Sequence, residues 1–193
     1  GTLIIEDDRI EEIIEEVDAQ PAIPVDEVID ASGCYLLPGI IDTHVHFRDP
    51  GLTQKGDFCS ESRAAAAGGV TTVFDMPNCV PQTTTMEAFD EQCRIAAPKS
   101  VVNYGFFFGA TAGNAYELER LNCRKIAGVK LFMGASTGNM LVDNERALQA
   151  IFEHSPLPIV THCENSQLIA ENAKRIQEAY GKDPDVIHHA EIR

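Results

Sequence analysis

From Pro38 onward the chain alternates short apolar runs with helix-like stretches five times in succession, and no other feature narrows its possible folds as far. The apolar runs are "GIIDTHVHF", "VTTVFDMPN", "VVNYGFFFGA", "AGVKLFMG" and "LPIVTHCE". Between and after them lie "DFCSESRAAAAGG", "MEAFDEQCRIAA", "AYELERLNC", "NERALQAIFEH" and "NSQLIAENAKRIQEAY", which read as helices. Punctuation supports this division. Asp57 stands where an N-cap would, Gly68 and Gly69 where a helix would stop, Asp143 or Asn144 before the fourth helix, and Gly181 with Pro184 after the last. Strands that are apolar throughout and separated by helices belong to a parallel sheet covered on its faces. Both a doubly wound sheet and a closed (β/α) barrel satisfy the pattern.

The residues before this region behave differently. "TLIIEDDRIEEIIEE" reads as a hairpin turning at "EDDR", and "AIPVDEVIDASGCYLLPGIID" as further short strands broken at Pro24, Gly33 and Pro38. Residues 1–37 are therefore expected to form part of a small β layer or sandwich, and residues 38–193 the N-terminal part of a barrel.

The strand ends choose between the two architectures. At the C-terminal ends of the five successive strands stand His44 and His46 with Arg48, then Asn78, the glycine of "FFFGA", Lys130 and His162. Polar groups gathered at that end of consecutive strands mark the working face of a (β/α) barrel. A doubly wound sheet would carry a glycine-rich phosphate loop after its first strand, and none is present here. A whole barrel has eight strands in about 250 residues. The 193 residues supply about five βα units, so the barrel is expected to be incomplete and the chain to be the N-terminal portion of a longer enzyme, inactive alone.

Residues two apart in a strand face the same side, so His44 and His46 can point together into the barrel mouth and share a metal ion. Lys130 interrupts an apolar strand. A buried ammonium is costly and tends to lose its proton. It can snorkel to water or pair with a buried acid, or, as a neutral amine, capture carbon dioxide to give an anionic carbamate able to bridge two metal ions.

Four blocks, "DTHVHFRDPG", "AAAAGGVTTVFDMPN", "GVKLFMG" and "VTHCEN", in this order, resemble the cyclic amidohydrolases, and among them most closely the dihydroorotases. The resemblance implies a metal-dependent hydrolase-type (β/α)8 TIM barrel. It implies that His44, His46 and a carboxylated Lys130 hold one zinc ion, and that Lys130 and His162 hold a second. It implies that Arg48 and Asn78 bind the substrate carboxylate, an arginine that hydantoinases usually lack. The family's remaining zinc histidine and its proton-shuttling aspartate are expected beyond residue 193, so the catalytic acid–base residue is unknown here. The implied activity is the reversible interconversion of dihydroorotate and N-carbamoyl-L-aspartate in pyrimidine biosynthesis. A hydantoinase, dihydropyrimidinase or allantoinase, or a non-catalytic scaffold relative, are the alternatives.

Composition excludes other classes. The net charge is −15, with acids concentrated between Glu6 and Asp30, which argues against nucleic-acid binding because phosphate contacts need clustered Lys and Arg. No apolar run reaches the ~18 residues of a membrane span, and no secretory signal pattern is seen. The six cysteines form no C-x-x-C pair and read as buried free thiols in a reducing compartment. The expectation is a cytoplasmic enzyme acting on a small molecule, with a homo-oligomer possible. His154, His188, His189 and Cys163 read as ordinary helix-end, solvated or structural residues, and Asp42 as either a support for the histidines or a structural acid.

Overall fold

The computed structural model describes residues 1–16, 24–134 and 140–193. Two compact units divide it, Gly1–Pro38 and Gly39–Arg193. In the first, β1 (Thr2–Glu6) and β2 (Arg9–Ile14) pair antiparallel, with a bulge at Ile4/Ile5. The turn between them places Asp7 at a φ of 52°, the left-handed conformation that Asp tolerates better than most residues. Ala22 and Ile23, where the further expected strands begin, lie outside the described residues; among the described ones, residues 24–38 form no strand and are irregular and exposed. Pro24 and Pro38 lack the N–H that a ladder needs, and Val28, Ile29, Tyr35, Leu36 and Leu37 remain open to solvent.

The second unit is a curled five-stranded parallel sheet, an incomplete (β/α) barrel. Its strands are β3 (Ile40–Val45), β4 (Val70–Asp75), β5 (Asn103–Gly109), β6 (Gly128–Met133) and β7 (Ile159–Cys163), neighbours in sequence order. The connections are α1 (Phe58–Ala67), α2 (Met86–Ala96), a 3-10 helix (Ala115–Arg120) and α3 (Glu145–His154), with α4 (Ser166–Tyr180) following β7. A short 3-10 turn (Val186–His188) and α5 (His189–Ile192) end the chain.

Capping explains most helix starts. The Asp57 carboxylate accepts the Ser60 N–H at 2.8 Å while Ser60 Oγ receives the Asp57 N–H, a reciprocal pair that satisfies two orphan donors. Asn144, not Asp143, caps α3. The "AYELERLNC" stretch becomes a 3-10 helix instead of an α-helix. Its buried residues, Ala115 and Leu118, are three apart, a spacing that a three-residue turn eclipses on one side.

Alternation along the central strands sorts two faces. Val73, Phe106, Phe108, Val129 and Leu131 point to the helices and join Phe58, Phe89 and Ile151 in one apolar core. Phe58, Phe89, Tyr104 and Phe47 meet Phe106 or one another edge-on or tilted at 5.5–6.0 Å. The opposite face carries Phe107 and Gly109 of β5 and Lys130 and Phe132 of β6. β3, expected to be buried, is largely exposed: it lies at the sheet edge, pairing only with β4 among the described residues, and Ile40 and Ile41 are open to solvent. All six cysteines are free thiols, as expected, but of these only Cys79 is buried. No described helix is long and apolar enough to cross a membrane.

Candidate functional site

The strand ends are stitched to one another by backbone bonds. Met76 N–H donates to Val45 O (2.9 Å), Gly109 N–H to Thr83 O (2.8 Å) and Ala110 N–H to Lys130 O (2.8 Å). Asn114 closes the loop after β5, donating to Thr84 O and Gly109 O and accepting the Thr111 N–H. The loops that carry polar groups therefore rest on a shared frame.

His44 is the last residue but one of β3 and His46 follows the strand directly, their ring centroids 5.4 Å apart. Asp42 resolves as a local clamp: its Oδ1 accepts the His44 backbone N–H at 3.0 Å. His46 Nδ1 lies 2.7 Å from Asn78 Oδ1. An amide oxygen can only accept, so this contact requires the proton on Nδ1 and leaves the Nε2 lone pair free. Lost hydration lowers the pKa of His44, with the Lys130 ammonium next in effect; Asp42 opposes this and His162 adds to it. His46 is lowered as well, chiefly by burial, against the raising effect of its bond to Asn78 and with help from Arg48, His44 and Lys130. Both rings are thus biased to the neutral form, the one that binds a metal ion. These mutual influences place His44, His46, Lys130 and His162 in one electrostatic neighbourhood, although β3 and β6 are separated by two strands.

Lys130 is 1% exposed. Burial alone pushes its ammonium down, with no acid opposing it. Its Nζ sits 4.9 Å from the Phe132 ring centroid, and no carboxylate among the described residues forms an ion pair with it. Its β5 partner in the register is Gly109, where a Cβ would collide with the Met140 side chain. His162 pairs in register with Phe132; its ring lies 6.3 Å from that of Phe132, and its Nε2 lies 3.5 Å from Glu164 Oε2.

Arg48 adopts a φ of +67°, the left-handed region that costs a non-glycine residue about 1–2 kcal/mol. Its neighbours hold it there. Phe47 is buried against Phe58, and its N–H donates to Asp75 Oδ1 at 2.9 Å. Asp49 is 3% exposed and accepts from Lys99 Nζ at 2.6 Å. Gly51, at φ +84°, abuts the Val80 carbonyl, and Val80 N–H donates to Pro50 O at 3.0 Å, so the Arg48 loop docks on the Asn78 loop.

Under both loops lies a buried polar chain. Asp75 Oδ1 accepts from Phe47 and Met76 N–H, and Oδ2 from Gln92 Nε2 at 3.0 Å. Thr83 Oγ1 donates to Gln92 Oε1 at 2.6 Å, and Cys79 Sγ contacts Thr83 Oγ1 and donates to Pro81 O. Burial drives the Asp75 carboxyl up to about 7, against the lowering effect of its N–H donors and Arg48. Asp75, Gln92, Asp49 and Lys99 are not among the sequence-based candidates. For Asp75 the signal is available, since an acid in the apolar run "VTTVFDMPN" invites the argument applied to Lys130.

Among the described residues, no three His, Cys, Asp or Glu side chains converge as a metal cage. The donors present are two imidazoles biased neutral, a third at His162, and a buried amine, a set chemically suited to a zinc-type ion. His154 instead bonds Glu119 Oε1 at 2.5 Å beside Tyr116, and His188, expected to be solvated, stacks on Tyr180 at 4.0 Å.

The chain is 39% identical over 159 residues to a dihydroorotase of Methanothermobacter thermautotrophicus, covering 81% of this chain and 35% of that protein. An allantoinase of Desulfitobacterium hafniense is 36% identical over 174 residues, covering 88% of this chain and 38% of that protein. The solved structure of an L-hydantoinase from Arthrobacter aurescens superposes with a TM-score of 0.68 at 35% identity, covering 76% of this chain and 34% of that one. The chain spans 35% of the length of the first of these relatives. Residues 35–191 match the amidohydrolase family. With its parallel strands, its histidine pair and its buried lysine at the strand ends, the chain belongs to the amidohydrolase family.

Proposed function

We propose that the protein carrying this chain is a zinc-dependent dihydroorotase, interconverting dihydroorotate and N-carbamoyl-L-aspartate in pyrimidine biosynthesis. The observation that carries this reading is the anchored backbone at Arg48, two residues from His46 and bracketed by buried neighbours, because dihydroorotate carries a ring carboxylate that a guanidinium on such a loop can clamp with two parallel hydrogen bonds. The dihydroorotase relatives support it.

Two zinc ions held by His44, His46, Lys130 and His162 would supply an acidified water and polarise the ring carbonyl. The chain's own groups set the stage. Asn78 fixes the His46 tautomer with Nε2 free. Its amide N–H2 remains able to donate to the substrate carboxylate beside Arg48. Lys130, its proton loosened by burial, adds as R–NH2 to CO2, forming a C–N bond and releasing one proton to leave a carbamate. Phe132, buried and with its ring centroid 4.9 Å from Nζ, gives this group an apolar neighbour. The proton carrier at the leaving ring nitrogen is assigned to no residue of this chain.

Hydantoinase and allantoinase relatives of comparable identity make an uncharged cyclic amide the rival substrate. The enzyme is assayed on dihydroorotate, hydantoin and allantoin, before and after Arg48→Met. A loss on dihydroorotate equivalent to about 2–5 kcal/mol, well above that on the other amides, is expected from breaking a charge-assisted pair in a dry site. Equal losses on all substrates, or no turnover of dihydroorotate by the parent enzyme, would sink the proposal.

A further inference from the structure

The Arg48 loop follows the C-terminal end of β3, yet one of its two anchors comes from the opposite end of the sheet. Lys99 lies in the connection between α2 and β5, just before β5 begins, and its backbone N–H donates to Ala96 O at the end of α2. From there its side chain reaches Asp49, with Nζ donating to Oδ2 at 2.6 Å. The Asp49 side chain is 4% exposed and that of Lys99 38%, so the carboxylate is buried and the ammonium stays partly hydrated. A carboxylate this deep is tolerable only when paired.

Two consequences meet at Arg48. Its own backbone is in a conformation that a free loop of L residues would leave. On one side Phe47 is fixed by the aromatic core and by Asp75; on the other Asp49 is fixed by Lys99. Neither of these bonds touches the Arg48 side chain, and nothing about them serves a turn as such, because the turn is already closed by Leu52 N–H on Arg48 O at 3.0 Å. What the second anchor adds is a fixed backbone from which the Arg48 side chain departs.

We propose that Lys99, through Asp49, is a positioning residue for substrate-carboxylate recognition, so that a side chain rooted at the far end of β5 sets how tightly the site holds an anionic substrate. This rests on the reading of Arg48 as the carboxylate clamp. Without Lys99, Asp49 turns toward water, Arg48 relaxes from its left-handed conformation, and the clamp loses its aim while the strand-end groups keep theirs.

The test is steady-state kinetics of the full-length enzyme on dihydroorotate. Lys99→Met is expected to raise KM about tenfold or more with kcat within about twofold, a tenfold change corresponding to about 1.4 kcal/mol. Lys99→Arg, which keeps a cation within reach of Asp49, is expected to restore most of the parent KM. A merely structural role would lower the folded fraction, and so apparent kcat, and leave KM where it was; that result overturns the inference. If Lys99→Met does not fold, the pair Asp49→Asn with Lys99→Met, which leaves no buried carboxylate unpaired, replaces it with the same expected KM rise; an unchanged KM overturns the inference. Arg48→Met separates the two levels. If it leaves KM unchanged, Arg48 is no clamp and both readings fall; if it raises KM while Lys99→Met does not, only the role of Lys99 falls.

Discussion

Replacing Lys130 by methionine should stabilise the metal-free protein while abolishing activity. Lys130 is 1% exposed, and among the described residues no acid pairs with it. Its register partner is Gly109 and its Nζ lies 4.9 Å from the Phe132 ring centroid; methionine has nearly the same length and volume as the lysine stem, so no cavity is expected. What disappears is the desolvation cost of a buried amine with no acid beside it among the described residues, about 1–3 kcal/mol by mutational measures. For a protein of this size or larger, each kcal/mol moves Tm by about 2–4 °C. Lys130→Ala removes the same amine but leaves a void, which costs about 2–5 kcal/mol for comparable truncations. The two variants should therefore move Tm in opposite directions around the parent, and both should be inactive. Thermal unfolding of chelator-treated protein in carbon dioxide-free buffer is the assay. A methionine variant less stable than the parent by more than about 1 kcal/mol would refute the reasoning, because it would mean that the amine has a strong partner in the folded protein.

Other perturbations have equally definite outcomes. Asp75 has a folded pKa of about 7 against an ordinary value of 3.8, so its folded form prefers the proton: stability is highest below pH 4 on its account and falls as pH rises through 7, by up to about 4 kcal/mol. Asp75→Asn should flatten that slope in urea titrations at several pH values, and a flipped Gln92 amide would still satisfy the new side chain. Gly51→Ala places a methyl group against the Val80 carbonyl at a φ of +84°, so a loss of about 2 kcal/mol or more and a raised KM for dihydroorotate are expected in chemical unfolding and kinetics. Chelation should remove activity, and zinc with bicarbonate should restore it better than zinc alone if Lys130 is carboxylated; equal recovery would argue against the carbamate.

The order of strands and helices was legible in the chain because apolar runs, caps and glycine stops are local signals: Asp57 and Asn144 cap the helices they precede, and Gly181 ends α4. That His44, His46, Lys130 and His162 would lie towards one face at the strand ends was legible for a related reason, since a parallel alternation sends every strand's C-terminal end to one face. Local pattern did not decide how polar groups distant in sequence are shared. Asp49 and Lys99 are 50 positions apart, and Phe47 and Asp75 are 28 apart. Neither pairing leaves a periodic trace, because a buried carboxylate needs a donor from any direction and the fold decides which one arrives. The left-handed Arg48 has no sequence mark either, arginine having no preference for that region; only two anchored neighbours impose it. The exposure of β3 likewise belongs to the tertiary structure. An apolar run shows that a strand is suited to burial, and whether it is buried depends on a neighbour to lie against.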